Sequence, residues 1–281
     1  MKYPDKWRET IDPFTLPFNS FKLKEVMGYP HAGNDVFYVR GIHYGKEVTA
    51  YIKAARQKGT DICREIEAVE KLKLELAPQI IDCDRENGSF IVTLEKPGKR
   101  LSAIVGDNKA MESMNYMFEY GKTLAQLHST DISIGTVKDR RFFHVPSQAC
   151  LEKSGLDFVY KYLTENTPKK INTCFCHGDF HYANVLWENG KMSAILDFEL
   201  SGMGNREFDI AWAICLRPGQ RFLNTKAEIT RFLEGYESRG EFDLDSVKYY
   251  MIQIYSYFYT FEGNESEYLE YIMQELKYLC I

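Results

Sequence analysis

Three oxygen-bearing side chains stand in a telling order near the middle of the chain. Asp179 follows His177-Gly178, Asn184 comes five residues later, and Asp197 opens Asp197-Phe198-Glu199 thirteen residues beyond that. In kinase-type phosphoryl transfer, a loop carboxylate accepts the proton of the attacking hydroxyl. An Asn five residues on and a later Asp hold the Mg²⁺ ions that bridge the nucleotide phosphates. The residue types suit that work: Mg²⁺ takes hard oxygen ligands, and a general base must lie within reach of the acceptor hydroxyl. Asp179 is thus the candidate base, and Asn184 and Asp197 are the candidate metal ligands. Each motif alone is ordinary turn chemistry. Together, with an apolar run leading into each, they are specific. Zinc hydrolysis is the rival, since His177 and His181 are four apart. The Glu of H-E-x-x-H is missing, however, and the segment follows a strand and does not sit within a helix.

Such a site needs a cation for the nucleotide phosphates. Lys53 ends the alternating run Thr49-Ala50-Tyr51-Ile52-Lys53, and Glu65 in the next helical segment is its expected partner, with Glu67 as fallback. The loop Met27–Val36 joins two expected strands, and Gly33, Asn34 and Asp35 could offer backbone N–H groups to phosphate oxygens. Two glycine patterns are set aside. Gly41-x-x-x-Gly45-Lys46 is one residue short of a Walker A loop, and Gly202-x-Gly204 lacks the third glycine of a dinucleotide fingerprint.

The elements that must position these groups change character along the chain. Phe21–Val26, Val36–Gly41 and Val48–Ala54 read as three strands of an antiparallel meander. A helix is expected over Thr60–Leu76, stopped by Pro78, then strands Ile80–Asp84 and Ser89–Leu94 around an Asn87-Gly88 turn. Beyond Lys96-Pro97-Gly98 the pattern turns helical: Met111–His128, a helix starting at Leu156–Leu163, and three tail helices near Thr225–Arg239, Leu244–Phe261 and Ser266–Leu279. Thr173–Cys176 and Met192–Phe198 read as short strands. The expected organisation is α+β: a β-rich N-terminal lobe with one helix (residues 1–95) and a larger helical lobe (96–281) carrying the catalytic loop and acceptor-binding helices.

Composition narrows the partners. The 281 residues carry 35 Lys and Arg against 40 Asp and Glu, which disfavours nucleic-acid binding. No apolar run is long enough for a membrane span, and the charged N-terminus lacks a secretory signal. The seven cysteines are odd in number and irregularly spaced. They read as reduced, mostly buried thiols of a cytoplasmic protein. From His177 onward, 9 basic residues face 17 acidic ones, while the first 176 residues are weakly basic. The acidic tail, including Glu262, Glu265, Glu267, Glu270 and Glu275, suits a cationic acceptor or is a solvated face. The stripe Tyr249, Tyr250, Tyr255, Tyr257, Phe258, Tyr259 and Phe261 reads as core before ligand cage.

His177-Gly178-Asp179-(x)4-Asn184-Val185-Leu186, Ile195-Leu196-Asp197-Phe198-Glu199 and Phe208-Asp209-Ile210-Ala211 occur in an order that resembles the aminoglycoside phosphotransferase / choline kinase superfamily. Leu124-Ala125-Gln126-Leu127-His128 resembles the helix end that precedes its catalytic loop. The resemblance implies a bilobal protein-kinase-like fold, ATP (or GTP) with Mg²⁺, and a small-molecule alcohol as acceptor. It makes Thr93, Leu94, Glu95 and Lys96 the hinge that holds adenine, and Asp209 an acid that steadies the catalytic loop; a helix N-cap is the plainer role for Asp209. Gly178 points to the aminoglycoside branch, where choline kinases carry Asn. The run from Asp197 to Asp209 reads more like choline kinases. The leading expectation is therefore an aminoglycoside-type O-phosphotransferase, monomeric or homodimeric. Choline, ethanolamine or another metabolite as acceptor, and a nucleotide-binding pseudokinase, are the alternatives.

Overall fold

A computed structural model describes residues 10–30, 33–56, 60–106, 110–261 and 263–281. The chain divides into two compact units, Met1–Lys96 and Pro97–Ile281. Among the described residues no helix is long and apolar enough to cross a membrane.

Among the described residues the first unit is a five-stranded antiparallel sheet with one α-helix. Its strands are β1 (Phe21–Gly28), β2 (Asp35–His43), β3 (Lys46–Ala54), β4 (Ile80–Cys83) and β5 (Phe90–Leu94), in the order β1-β2-β3-β5-β4. Period-two alternation sends Phe37, Val39, Ala50, Ile52, Phe90 and Val92 to one apolar core. The opposite face carries Ile91, packed against Ile62 and Ile66 of α1 (Ile62–Leu72). Lys53, next to Ile52 and paired with Val36 and Ile91, points to that helix-covered face.

The helix is shorter at both ends than expected. Asp61 caps it by accepting the Arg64 N–H, and Lys73 in the left-handed region (φ +45°) ends it before Pro78 is reached. The Asn87-Gly88 turn widens into a loop because the Asp84 carboxylate gathers the N–H groups of Glu86, Asn87 and Ser89.

The second unit contains helices α2 (Leu101–Val105), α3 (Ala110–His128), α4 (Gln148–Lys153), α5 (Asp157–Glu165), α6 (Arg206–Ile214), α7 (Lys226–Glu237), α8 (Leu244–Tyr259) and α9 (Ser266–Leu279). Two strand pairs support the motif loops: β6 (Thr173–Cys176) with β9 (Gly202–Asn205), and β7 (Val185–Glu188) with β8 (Lys191–Ile195). The Gly202-x-Gly204 segment is therefore a strand, and β8 stops at Ile195, short of the expected Phe198. Helices α3 and α7 cross backbone to backbone: a Cβ on Gly121 would sit 1.9 Å from Phe232 O, and one on Gly235 2.0 Å from Phe118 O. This crossing fixes the end of α3, where His128 stands.

The aromatic stripe that begins on α8 is core in part: Tyr249, Tyr255 and Phe258 are buried, while Tyr250, Tyr257, Tyr259 and Phe261 are half-buried. All seven cysteines are free. Only Cys176 and Cys215 are fully buried and Cys63 and Cys150 are exposed, so "mostly buried" overstated their packing.

Candidate active site

β6 delivers the chain into His177-Gly178-Asp179, and the local geometry explains each residue type. Gly178 has φ +78°, and a Cβ there would lie 2.5 Å from Leu200 O, so glycine is required. His177 is fully buried. Its Nδ1 accepts the Asp179 N–H at 3.2 Å and its Nε2–H donates to Leu196 O at 3.0 Å. Burial lowers its pKa, so a neutral ring bridges the two motif segments. Leu196 N–H donates to Asn184 O at 2.7 Å. The residue before Asp197 is thus tied to both the histidine and the asparagine of the loop. Asp197 itself turns the chain at φ +67°, a conformation Asp tolerates better than most side chains.

Asn184 ends a short 3₁₀ turn, Tyr182–Asn184, and its Nδ2 donates to Asp179 O at 3.0 Å and to Asp179 Oδ2 at 3.3 Å. This orients the amide, because both contacts use the nitrogen. Asp179 Oδ1 accepts the Trp212 indole N–H at 2.7 Å, with Arg140 Nη1 at 3.5 Å; His181 Nε2 lies 3.5 Å from Oδ2. Arg140 also donates to Gly178 O. Burial pushes the Asp179 carboxyl up, but the His181 ring and the Arg140 and Arg217 guanidinium groups outweigh it. They hold the carboxyl well below the usual range. Asp179 is therefore an ionised acceptor at neutral pH. Burial also lowers the pKa of His181.

Asp209 sits on α6 and is buried, and it is not the helix N-cap. Asn205 holds that place by accepting the Phe208 N–H. The Asp209 carboxylate accepts the N–H of His177 at 2.9 Å and of Gly178 at 3.1 Å, and His128 Nε2 at 3.1 Å. The other His128 nitrogen pairs with the Tyr236 hydroxyl at 2.7 Å. One carboxylate thus clamps two consecutive backbone donors of the loop that carries Asp179.

In the first unit, Lys53 Nζ and Glu65 Oε2 form a 2.8 Å ion pair with both side chains mostly buried. Asn34 is buried, and its Oδ1 accepts from Thr60 Oγ1 at 2.7 Å and from Arg56 N at 3.3 Å, so its side chain staples the loop stem. Gly33 takes φ +121° beside it; His31 and Ala32 of the same loop lie outside the described residues. On the hinge side, Thr93 is paired in β5 and the exposed Glu95 accepts the Tyr38 hydroxyl. Lys96 Nζ donates to Glu75 O at 2.5 Å. The N–H groups of Leu94 and Glu95 are engaged by Gln79 O and Thr49 O. Glu262 of the acidic tail lies outside the described residues, while Glu265, Glu267 and Glu270 on or beside α9 are exposed.

The structure therefore brings Lys53 to Glu65 within the first unit. Within the second it brings Asp179, Asn184 and the backbone leading to Asp197 together. The zinc alternative loses support because both rings are engaged in the loop's own bonds. His128, Cys174 and Cys176 have ligand atoms within 4.8 Å of one another, yet both His128 nitrogens are already committed. Sequence reasoning missed Arg140, Trp212 and Arg217. Trp212 could have been found, since it lies one turn beyond Asp209 on the same helix face. Arg140 is 39 residues from Asp179 and carries no local signal.

A mixed α+β chain with a β-rich sheet, a helical part and this pair of carboxylate loops has a protein-kinase-like fold. The sequence model of the Phosphotransferase enzyme family matches residues 32–250, and the chain belongs to that family. Aminoglycoside 3'-phosphotransferase of Enterococcus faecalis is 23% identical over 231 residues, covering 74% of this chain and 85% of that protein. Among solved structures, choline kinase LicA from Streptococcus pneumoniae superposes with a TM-score of 0.58 at 15% identity, over 94% of each chain. Amicoumacin kinase hAmiN in complex with AMP-PNP, Ca²⁺ and Ami gives a TM-score of 0.59 at 14% identity, over 93% of this chain and 90% of that one.

Proposed function

We propose that this phosphotransferase moves the γ-phosphate of ATP to a hydroxyl of a small molecule, with Mg²⁺. GTP is the alternative donor. Asp179 accepts the hydroxyl proton, and Asn184 and Asp197 hold the metal, whose charge offsets that developing on the phosphates. The Lys53–Glu65 pair anchors the phosphates under the Gly33-Asn34 loop, and the Thr93–Lys96 segment, with Glu95 and Lys96, holds adenine. The unit ending at Lys96 is then the nucleotide-binding one, and the unit from Pro97 carries the acceptor. The observation that carries this reading is the tie between the two loops. His177 bonds both Asp179 N and Leu196 O, and Asn184 bonds both Asp179 and Leu196. The name of hAmiN's complex, with a nucleotide analogue and a divalent cation, agrees with it.

Aminoglycosides, choline or ethanolamine as acceptors are drawn from the names of relatives and from the acidic surplus of the C-terminal half. That surplus includes exposed carboxylates on α9, so it speaks less directly than the groups around Asp179. Retention of Lys53, Asp179, Asn184 and Asp197 favours turnover over a pseudokinase.

The test is ATP consumption across a panel of alcohols with and without Mg²⁺, in wild type and Asp197→Ala. The variant should lose several kcal/mol of transition-state stabilisation, about a thousandfold in rate or more, with an unchanged circular-dichroism spectrum. A variant that keeps the wild-type rate removes Asp197 from the metal site.

A further inference from the structure

Two arginines, Arg140 and Arg217, act on the Asp179 carboxylate. The guanidinium carbons of Arg140 and Arg217 lie 4.5 Å and 4.8 Å from the centroid of the Trp212 ring, whose N–H holds Asp179 Oδ1. Two cations thus stand within one indole of the carboxylate proposed to meet the acceptor.

Neither is an incidental surface residue. Arg140 belongs to a segment pinned from several sides. Phe142 packs on Trp212 and Phe258, Gln253 Nε2 donates to Phe142 O at 2.6 Å, and Phe143 packs on Phe208. The Arg140 side chain is 17% exposed, and its Nε is buried without a hydrogen-bond partner. Burying a cation with a donor unmet costs free energy unless something completes the site. Arg217 follows α6, and its two terminal nitrogens donate to Cys215 O and Trp212 O. Among the described residues no carboxylate lies within 4 Å of Arg217. Among the described residues the only carboxylate within that range of Arg140 is Asp179, at 3.5 Å.

A polycation entering beside Arg217 would meet a guanidinium that has no carboxylate within 4 Å, whereas an anion would be received by the remaining N–H groups of nitrogens already held in place. We infer that the acceptor carries an anionic group, a carboxylate or a phosphate, near the hydroxyl that is phosphorylated, and that Arg217 with Arg140 receives it. This rests on the phosphotransfer reading above and names its substrate class. Net acidity of the C-terminal half does not oppose it, because Glu265, Glu267 and Glu270 face solvent and long-range attraction between exposed charges is screened.

The experiment titrates the full chain by calorimetry, first with Mg²⁺ and AMP-PNP. The loaded protein is then titrated with D-glycerate and L-homoserine (carboxylate arm), glycerol 3-phosphate (phosphate arm), and choline and kanamycin (cation arm). At least one anion-bearing probe should bind, and Arg217→Gln should weaken it at least about tenfold, the loss of one charge-assisted contact. Which arm binds separates carboxylate from phosphate. Steady-state kinetics on the probe that binds should show the Arg217→Gln effect chiefly as a raised KM. Binding of choline or kanamycin alone, binding of no probe, or anion binding that Arg217→Gln leaves intact overturns the inference. Failure of AMP-PNP to bind overturns the phosphotransfer reading, and this one with it, and is seen in the first titration.

Discussion

Replacing Asp209 by Asn tests how the loop is held, because the change is nearly isosteric and the bonds can be counted. Each carboxylate oxygen accepts one backbone N–H, from His177 at 2.9 Å and from Gly178 at 3.1 Å, and one oxygen also faces His128 Nε2 at 3.1 Å. An amide offers a single acceptor oxygen, so one backbone donor must face an NH₂ group. Losing a charge-assisted bond costs about 1.5–3 kcal/mol, and the stranded N–H adds to this. Neutralising a buried carboxylate returns part of that cost. The net loss is about 2–3 kcal/mol, concentrated in the segment that aims Asp179. A melting temperature lowered by several degrees, measured by differential scanning fluorimetry, and a kcat lowered at least about tenfold well below that temperature are expected. An N-cap role predicts something else: a loss of about 1 kcal/mol and an untouched kcat. That second outcome would refute the clamp.

Two more expectations follow from the same neighbourhood. Trp212→Phe keeps a ring under Arg140 and Arg217 but removes the 2.7 Å bond to Asp179 Oδ1. Steady-state kinetics should show kcat lower by about 10- to 100-fold, the equivalent of one charge-assisted bond, with nucleotide affinity retained. Stability should also depend on pH through His177, whose folded pKa lies below its unfolded value because it is buried. The unfolded chain takes up the proton first, so stability falls as pH drops through about 6.5 and is fully present above it. Urea midpoints measured on both sides of that pH should show the fall in wild type and a shallower one in His177→Asn; equal slopes would remove His177 from the effect.

Much of this was legible before any coordinates. The alternation Tyr51-Ile52-Lys53 dictates which side chain leaves the sheet core, and that parity puts Lys53 against Glu65. The long helices near Leu244 and Ser266 begin where their patterns begin. What was hidden is what three-dimensional closure decides. Lys73 ends α1 by a left-handed turn that no Gly announces, and Asp84 builds a loop where Asn87-Gly88 signals a tight hairpin. Gly202 and Gly204 pair with β6 although glycine is a poor strand former. That Asp179 and Asn184 lie together near the backbone leading to Asp197 was readable because their spacing is set by one loop and one hairpin. Arg140 comes from a distant segment placed by aromatic packing, and no local pattern encodes it. The charge that an acceptor meets is hidden for a related reason: composition sums a whole half of the chain, while a ligand meets the few groups around one carboxylate.

The central claim is that Asp179 is the ionised acceptor of the hydroxyl proton. Its most direct measurement is kcat and nucleotide affinity of Asp179→Asn, on whichever alcohol the wild-type enzyme turns over with ATP and Mg²⁺. The account predicts kcat lower by about 10²- to 10⁴-fold with the nucleotide dissociation constant little changed. A variant with wild-type kcat, or one whose whole defect lies in nucleotide binding, contradicts it.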